Sequence, residues 1–244
     1  DSGMHRQGFY PDDLKGIAKI IKAGRLPVIG VYTHFASAKD LNYPTFTDIQ
    51  FKEFERATKI LANAGFKKLI KHAAATGGTM VHQKYHLDVV RVGIGLYGLW
   101  PSRELEMQLS KISLEPVLSW KSVVSEVKKV LKGDYIGYDL AERAQKNIML
   151  AVIPIGYWHG FDRGLSSVGE VLIRGQRARV LGRVSMDLIV VDVTGIPVAV
   201  GDTATLIGKD GTEEITATEF AQKIGTSHYE IVTRINPLIE RIVT

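Results

Sequence analysis

The 244-residue sequence predicts an α/β plus β protein: a partial (β/α)8 TIM-type barrel followed by a mostly β C-terminal domain. Two patterns support this prediction. Over residues 1–112, short apolar runs alternate with helical patterns, as they do in a parallel sheet or barrel. From about residue 113 onward, apolar residues recur with a period of two between glycine-containing turns. We therefore expect two domains, residues 1–112 and residues 113–244.

The first half contains three strand-like segments and one clear helical pattern. Residues 27–35 form a short apolar run rich in β-branched side chains, which is typical of a strand buried on both faces. Residues 47–64 predict a helix that begins with a capping box of Thr47 and Gln50 and ends at Gly65. Two further strand-like runs are found at residues 68–72 and 87–99.

The second half is expected to consist almost entirely of strands. Strand patterns occupy residues 120–129, 169–180, 188–193 and 203–207. Lys209-Asp210-Gly211 is a hairpin signal, because Asp-Gly favours the tight turn between two antiparallel strands. Residues 218–224 alone have a helical pattern in this half.

The composition excludes several classes of protein. The 31 basic and 26 acidic residues give a net charge of +5 without basic blocks, so no nucleic acid partner is expected. No apolar run approaches the roughly 18 residues that cross a bilayer, so no membrane segment is expected. The absence of cysteine excludes disulfides and thiolate metal sites, and it fits a reducing cytoplasm. The histidines lack the spacing of a metal site, so no metal is expected.

The start of the chain predicts an incomplete barrel. A (β/α)8 barrel takes about 250 residues, and residues 1–112 supply less than half of that length. The opening Asp1-Ser2-Gly3 has no initiator Met and leads directly into a segment that looks functional. We expect a truncation, natural or artificial, that removes roughly 130 residues from the front of the barrel.

Five motifs, taken in order, resemble one enzyme family. They are Asp1-Ser2-Gly3-Met4-His5-Arg6, Tyr32-Thr33-His34-Phe35-Ala36, Val90-Arg91-Val92-Gly93-Ile94-Gly95, the stretch from Ile153-Pro154-Ile155-Gly156-Tyr157 to Gly182-Arg183-Val184-Ser185-Met186-Asp187, and Tyr229-Glu230-Ile231-Val232-Thr233-Arg234. Together they resemble the alanine racemase family of fold-type III pyridoxal phosphate enzymes over essentially the whole chain. The resemblance implies interconversion of L- and D-alanine, supplying D-alanine for peptidoglycan, with pyridoxal 5'-phosphate as cofactor.

The resemblance assigns the proton transfers to two bases on opposite faces of the substrate. One is a lysine that also holds the cofactor, and no lysine of this chain lies in a recognisable motif of that kind. The other is a tyrosine, and Tyr138 matches it in its spacing from Tyr157. A phenol titrates near pH 10, so an active base needs positive charge nearby, and His34 and Arg91 resemble the residues that supply it. With one base of two, the fragment alone is expected to be inactive.

The same resemblance implies the other contacts of the site. Arg91 is expected to donate a hydrogen bond to the pyridine nitrogen of the cofactor without surrendering its proton. The other expected cofactor contacts are His34, Thr76, Gly93, Ile94 and Tyr229. The expected substrate contacts are Arg6, Tyr157 and the backbone N–H of Met186, with Asp187 orienting its neighbours.

A homodimer with two composite active sites is also implied. In the family, residues that match Tyr138, Tyr157, Met186 and Asp187 reach into the site of the partner subunit. Closed two-fold symmetry then produces two equivalent sites.

One departure from the family pattern leaves the substrate open. Gly156-Tyr157-Trp158-His159-Gly160 occurs where the family usually has Gly-Tyr-Ala-Asp-Gly. Alanine is the default substrate, and serine or another small amino acid is an alternative. A pyridoxal-phosphate-dependent decarboxylase is a second alternative, although its motifs include a cysteine that this chain lacks. A non-catalytic subunit that pairs with another chain is the third.

Overall fold

The computed structural model describes residues 1–40 and 44–243, and the chain divides into two compact units. Unit 1 is Asp1–Val117 and unit 2 is Leu118–Thr244. The predicted change from an α/β half to a β-rich half is confirmed by the order of the elements. None of the helices in the described residues is long and apolar enough to cross a membrane.

Unit 1 alternates strands and helices. Its two strands, β1 (Gly30–Tyr32) and β2 (Ile70–His72), pair in parallel, so their carboxyl ends lie at the same edge. Both strands are shorter than the apolar runs that predict them. The helices are α1 (Leu14–Ala23), α2 (Thr45–Asn63), α3 (Thr76–Val81) and α4 (Arg103–Gln108), and 3₁₀ turns lie at Pro11–Asp13, Gln83–Tyr85 and Ile94–Tyr97.

The strand predicted over residues 87–99 is wrong. This segment runs beside β2, where the backbone N–H groups of Asp88 and Arg91 each donate one hydrogen bond, and then enters the 3₁₀ turn Ile94–Tyr97. Gly98 follows the turn at φ +69°, a conformation that glycine adopts without steric cost. Glycine therefore allows a turn where the apolar pattern predicts an extended strand.

The capping box predicted for α2 is also wrong, because α2 begins before Thr47. Gln50 is fully buried, and its side-chain oxygen accepts the backbone N–H of Ala36 at 2.9 Å. Gln50 thus holds the loop after β1 instead of the start of the helix. The predicted stop is confirmed, since Gly65 lies just beyond the helix at φ +97°.

The core of unit 1 joins α2 to the segments that follow both strands. Its buried members are Phe35, Phe54, Ala73, Ala74 and Tyr85. The rings of Phe35 and Tyr85 meet edge to face with centroids 5.0 Å apart. This packing fixes the chain directly after β1 and β2, where several of the predicted site residues lie.

Unit 2 is built from antiparallel strands. These are β3 (Trp120–Val123), β4 (Glu126–Val130), β5 (Tyr135–Ile136), β6 (Glu142–Arg143), β7 (Ile148–Ile153), β8 (Glu170–Ile173), β9 (Gln176–Arg179), β10 (Ile189–Asp192), β11 (Thr203–Asp210) and β12 (Glu213–Ile215). One sheet has the order β10-β7-β4, and a second has the order β12-β11-β8-β9 with β3 also paired to β11. β5 and β6 form a separate two-stranded ribbon.

The turns and helices of unit 2 match the sequence predictions with one exception. β11 and β12 form the predicted hairpin, with Gly211 at φ +62° in its turn. Helix α5 (Ala217–Ile224) confirms the predicted helix. Helix α6 (His228–Arg234) was not predicted, because it is short and buries only Ile231 and Val232. The hydroxyl of Ser227 caps it by accepting the N–H of Tyr229.

Candidate active site

Arg91 is the centre of a polar cluster at the carboxyl ends of β1 and β2. Its Nη1 lies 2.5 Å from Nδ1 of His72, and its Nη2 lies 3.2 Å from Nδ1 of His34. Nη2 also donates to the backbone oxygens of Thr33 at 2.9 Å and Ala73 at 2.8 Å. No carboxylate among the described residues forms an ion pair with Arg91. Its guanidinium is therefore held by neutral acceptors.

The electrostatics keep both imidazoles of this cluster neutral. Burial, followed by the charges of Arg91 and Arg6, holds the pKa of His34 below the ordinary value for histidine. Burial and the charge of Arg91 likewise lower the pKa of His72. Because arginine has no acceptor atom, Nδ1 of each ring must accept the hydrogen bond, which leaves the ring proton on Nε2.

Tyr32 and His72 belong to this cluster although neither was predicted as a site residue. Their rings are stacked with centroids 5.1 Å apart and planes inclined by 6°. The guanidinium of Arg91 lies 5.4 Å from the centre of the Tyr32 ring. A signal for both was available, because each ends a strand of a parallel pair, and polar residues at that edge are often functional.

Thr76 and the turn after Arg91 form a second polar feature. The buried hydroxyl oxygen of Thr76 accepts the backbone N–H of Gly93 at 3.2 Å and of Gly95 at 3.3 Å. A Cβ added at Gly93 would have no atom within 4 Å, so there is open space beside this backbone. Ile94 is buried behind it. The predicted residues Thr76, Gly93 and Ile94 are thus brought together.

The segment that carries Arg6 is attached to the end of β1, because the hydroxyl oxygens of Ser2 and Thr33 lie 2.5 Å apart. One carboxylate oxygen of Asp1 accepts the N–H groups of Gly3, Met4 and His5 and folds the segment into a tight turn. Arg6 is exposed, and its positive charge contributes to the lowered pKa of His34. The structure therefore brings Arg6 near the same cluster as His34 and Arg91.

The remaining predicted residues lie in unit 2, mostly on three adjoining loops. We call this surface the three-loop face and define it by residues 136–140, 156–160 and 182–187. Loop 182–187 contacts the other two. Its carbonyls at Ser185 and Met186 accept the N–H groups of Tyr157 at 3.0 Å and of Trp158 at 2.9 Å, and its Arg183 lies beside Asp139. The predicted residues Tyr138, Tyr157, Met186 and Asp187 all lie on this face.

Tyr138 lies on a tightly wound loop. Gly137 has φ +74°, and the two residues after Tyr138 have φ values of +60° and +53°, which side-chain-bearing residues rarely adopt. Nε of Arg183 lies 2.8 Å from Oδ2 of Asp139, although the angle is not that of a hydrogen bond, so the contact is electrostatic. Tyr138 is 65% exposed.

Tyr229 is the first-turn tyrosine of α6 and is not part of the three-loop face. It is partly exposed, and burial of the rest of its ring raises the pKa of its hydroxyl. A cavity of about 450 Å³ in unit 2 is lined by Tyr157, Gly160, Asp162, Arg163 and Arg234. In the part of the chain that the structure describes, no three His, Asp or Glu side chains are grouped to hold a metal ion.

Each of the two units matches a known family model. The family described as "Alanine racemase, N-terminal domain" matches residues 1–101, and "Alanine racemase, C-terminal domain" matches residues 117–243. The alanine racemase of Leptospira interrogans is 39% identical over 100% of this chain and 64% of its own length. That of Methanococcus maripaludis is 41% identical over 99% of this chain and 65% of its own length.

Solved structures give the same result. Alanine racemase from Bacillus anthracis with bound L-Ala-P has a TM-score of 0.91 at 38% identity, covering 97% of this chain and 61% of its own. Alanine racemase from Bartonella henselae with covalently bound pyridoxal phosphate has a TM-score of 0.82 at 26% identity, covering 99% of this chain and 64% of its own. The chain thus spans just under two thirds of the length of these relatives.

Proposed function

The chain belongs to the alanine racemase family, and on that premise we propose that it forms the substrate-facing part of an enzyme that interconverts L- and D-alanine. The observation that carries the proposal is Arg91, a partly buried guanidinium held by two carbonyls and two neutral imidazoles. No described carboxylate pairs with it, and its Nε–H makes no hydrogen bond to any of these groups, so it is available to an acceptor atom of a ligand. On the family resemblance, we further propose that this enzyme is cytoplasmic and supplies D-alanine for peptidoglycan.

The residues present fit pyridoxal 5'-phosphate. We assign to Arg91 the hydrogen bond that its guanidinium would donate to the ring nitrogen of the cofactor. We also assign His34, which lies beside Arg91, to the cofactor site. The open space at Gly93, next to the backbone of Ile94 and the hydroxyl of Thr76, suits phosphate oxygens. Tyr229 is assigned to the phosphate on the family resemblance alone. When bound, this cofactor withdraws electrons from the α-carbon of an amino acid and makes its proton removable.

The proton transfers are assigned to two bases, Tyr138 and a lysine. None of the motifs matched in this chain contains that lysine. Oη of Tyr138 removes the α-proton from one face of the substrate, or delivers it there in the reverse direction. Arg91 keeps its proton throughout, because a guanidinium is not deprotonated in proteins, so it orients without exchanging protons. His34 is neutral and hydrogen-bonded to Arg91, so the positive charge expected beside Tyr138 is assigned to Arg91 and not to His34.

Substrate binding is assigned to residues of both units. The planar fork of Arg6 suits a carboxylate, and the backbone N–H of Met186 supplies a second donor. Asp187 orients this loop, and Tyr157 faces the substrate. In the proposed homodimer, the three-loop face of one copy completes the site of the other. Large exposed side chains support this role for the face: Tyr138, Leu140, Tyr157, Trp158 and Met186.

We infer that unit 1 is the later part of a βα barrel. Its parallel pair β1–β2 and its order of strands and helices support this. So does an apolar cavity of about 320 Å³ beside β1, lined in part by Leu14, Ile17, Val28 and Val31. Such a cavity has the character of a site that a further barrel strand fills.

Co-expression tests the proposed activity. The chain is produced alone and together with the part of the Leptospira relative that lies outside its 64% coverage, and D-alanine formation from L-alanine is measured with pyridoxal phosphate. We expect no turnover from the chain alone and turnover from the combination. Tyr138→Phe should reduce turnover by about 10²- to 10⁴-fold, which is the usual contribution of an acid–base group.

Tyr135→Phe is the matched control, because Tyr135 is also exposed and lies on the neighbouring strand. Turnover that survives Tyr138→Phe, or that is lost equally with Tyr135→Phe, would contradict the assignment. Serine supplied in place of alanine tests the alternative substrate that Trp158 and His159 suggest. Release of carbon dioxide without racemisation would identify a decarboxylase, and no turnover in any combination would favour a non-catalytic subunit.

A further inference from the structure

The turn that carries Tyr157 lies flat on loop 182–187. A Cβ at Gly156 would lie 2.3 Å from the carbonyl oxygen of Ser185 and 2.5 Å from that of Met186, so only glycine allows this approach. The next two residues donate their N–H groups to the same two carbonyls. The backbone of the turn is thus attached to the loop that holds Met186 and Asp187.

His159 closes this turn with its side chain. The Nδ1 atom of His159 accepts the backbone N–H of Gly156 at 3.1 Å, and the backbone N–H of His159 donates to the carbonyl of Gly156 at 3.0 Å. Gly156 is buried, so its N–H depends on the imidazole for an acceptor. An imidazole nitrogen that accepts a hydrogen bond carries no proton, so the neutral ring holds its proton on Nε2.

Contacts from outside the turn hold the backbone that carries this imidazole. The backbone N–H of Asn236 donates to His159 O at 3.0 Å, and the Asn236 side chain donates to Trp158 O at 3.0 Å. The rings of Trp158 and His159 meet edge to face with centroids 5.4 Å apart. Gly160, at φ +102°, brings the chain against the carbonyl of Arg234. The backbone on both sides of the His159 side chain is therefore held at several points.

We propose that His159 is a positioning residue, which through Nδ1 of its neutral imidazole holds the turn that presents Tyr157 and Trp158 to the substrate. This inference rests on the proposed function for the identity of the substrate, but the hydrogen bond itself does not. The family usually has an acid at this position. The imidazole holds the turn without adding a negative charge to the three-loop face.

Three variants separate the hydrogen bond from the size of the side chain. In His159→Asn, the amide oxygen lies about where Nδ1 lies and can accept the Gly156 N–H. In His159→Gln, the amide is one methylene further out, near the position of Nε2. His159→Phe keeps a ring of similar size without an acceptor. Rescue by Asn alone is the result that a merely space-filling role does not produce.

The first experiment measures the full 244-residue chain by NMR. The side-chain nitrogen shifts of His159 should identify the Nε2–H tautomer in the wild type. Exchange of the Gly156 amide proton should be about fivefold faster in the Phe and Gln variants, as expected for one lost hydrogen bond, and within about twofold of wild type in Asn. An Nδ1–H tautomer, or equal exchange in all three variants, would overturn the proposal, and the tautomer result needs no variant to fold.

The second experiment uses the co-expressed enzyme. His159→Phe and His159→Gln should raise KM for alanine by about tenfold with a smaller change in kcat, because the substrate-facing wall loses its orientation before any proton moves. His159→Asn should restore KM. Equal KM values in all variants would contradict the role. If no racemisation is detected with wild type, the proposed function fails while the tautomer and exchange results still decide the role of His159.

Discussion

Nη1 of Arg91 lies 2.5 Å from Nδ1 of His72, the last residue of β2. Arginine can only donate, so His72 accepts and its ring stays neutral. The pair joins a residue in a loop to the carboxyl end of a strand, and the same guanidinium reaches the carbonyl of Thr33 after β1. The orientation of Arg91 therefore depends on the parallel pairing of the two strands.

The first prediction concerns acid sensitivity. The folded pKa values of His34 and His72 are below the ordinary value, chiefly through burial. Protons then bind the unfolded chain more readily, so the free energy of unfolding should be unaffected above about pH 6.5 and should fall as the pH decreases below it. In the double variant His34→Asn/His72→Asn, the free energy of unfolding should fall less steeply between pH 7 and pH 5. Urea unfolding at a series of pH values measures this dependence.

His5→Asn is the control for that experiment, because His5 is exposed and lies outside the Arg91 cluster. It should keep the wild-type slope. A double variant with an unchanged slope would show that the imidazoles of the cluster are not the groups whose protonation destabilises the fold.

A second prediction concerns the hydroxyl of Thr76. Thr76→Val removes the acceptor for the N–H groups of Gly93 and Gly95, and the co-expressed enzyme should bind pyridoxal phosphate about 5- to 30-fold more weakly. Thr76→Ser keeps the oxygen and should bind within about twofold of wild type. Absorbance titration of the cofactor measures both. Weakening in Ser but not in Val would assign the effect to the methyl contact instead of the hydroxyl.

The third prediction concerns Glu142, which connects the three-loop face to the sheet. Its carboxylate accepts from Arg179 and Ser167 and lies 3.4 Å from the N–H of Gly182. The hydrogen bond from Arg179 is the main reason that the pKa of Glu142 lies below its usual range. The stabilisation is therefore complete above about pH 4.5 and is lost as the pH falls through the lower folded value.

Glu142→Gln should consequently reduce the free energy of unfolding by about 1–2 kcal/mol at pH 7 and by less at pH 3.5. Urea unfolding at the two pH values measures the difference. Glu126→Gln is the control, since Glu126 pairs with Lys128 at an exposed position and should change stability by less than about 0.5 kcal/mol. A cost for Glu142→Gln that does not depend on pH would exclude the ion pair as its source.

A fourth prediction uses two glycines in contrasting surroundings. Gly156→Ala places a Cβ 2.3 Å from the carbonyl oxygen of Ser185, so the turn must move, and unfolding should become easier by about 1–3 kcal/mol. Gly16→Ala lies within α1 with no atom near the added Cβ, and it should stabilise by about 0.5–1 kcal/mol. Thermal unfolding of both variants should give shifts of opposite sign.

The sequence was most informative where local chemistry decides the structure. Asp210-Gly211 predicts its hairpin, and Gly65 predicts the end of α2, since these signals depend only on neighbouring residues. The apolar run at 87–99 wrongly predicts a strand, because such a run does not distinguish a strand from a turn that glycine allows. Gln50 wrongly predicts a helix cap, because its partner, Ala36, lies in a loop that only the fold brings near.

For the candidate site, too, some features follow from the sequence and others only from the tertiary structure. The sequence by itself determined the family, through motifs whose residues are adjacent in the chain, and it identified Arg91, His34, Thr76 and Tyr138 as candidates. Only the tertiary structure decided that His72 and Tyr32 join Arg91, and that His159 closes the turn before loop 182–187. The contacts of Arg91, and those by which this turn is attached to loop 182–187, connect strands and loops far apart in the chain. Their geometry depends on strand pairing and core packing, which no local pattern of residues encodes.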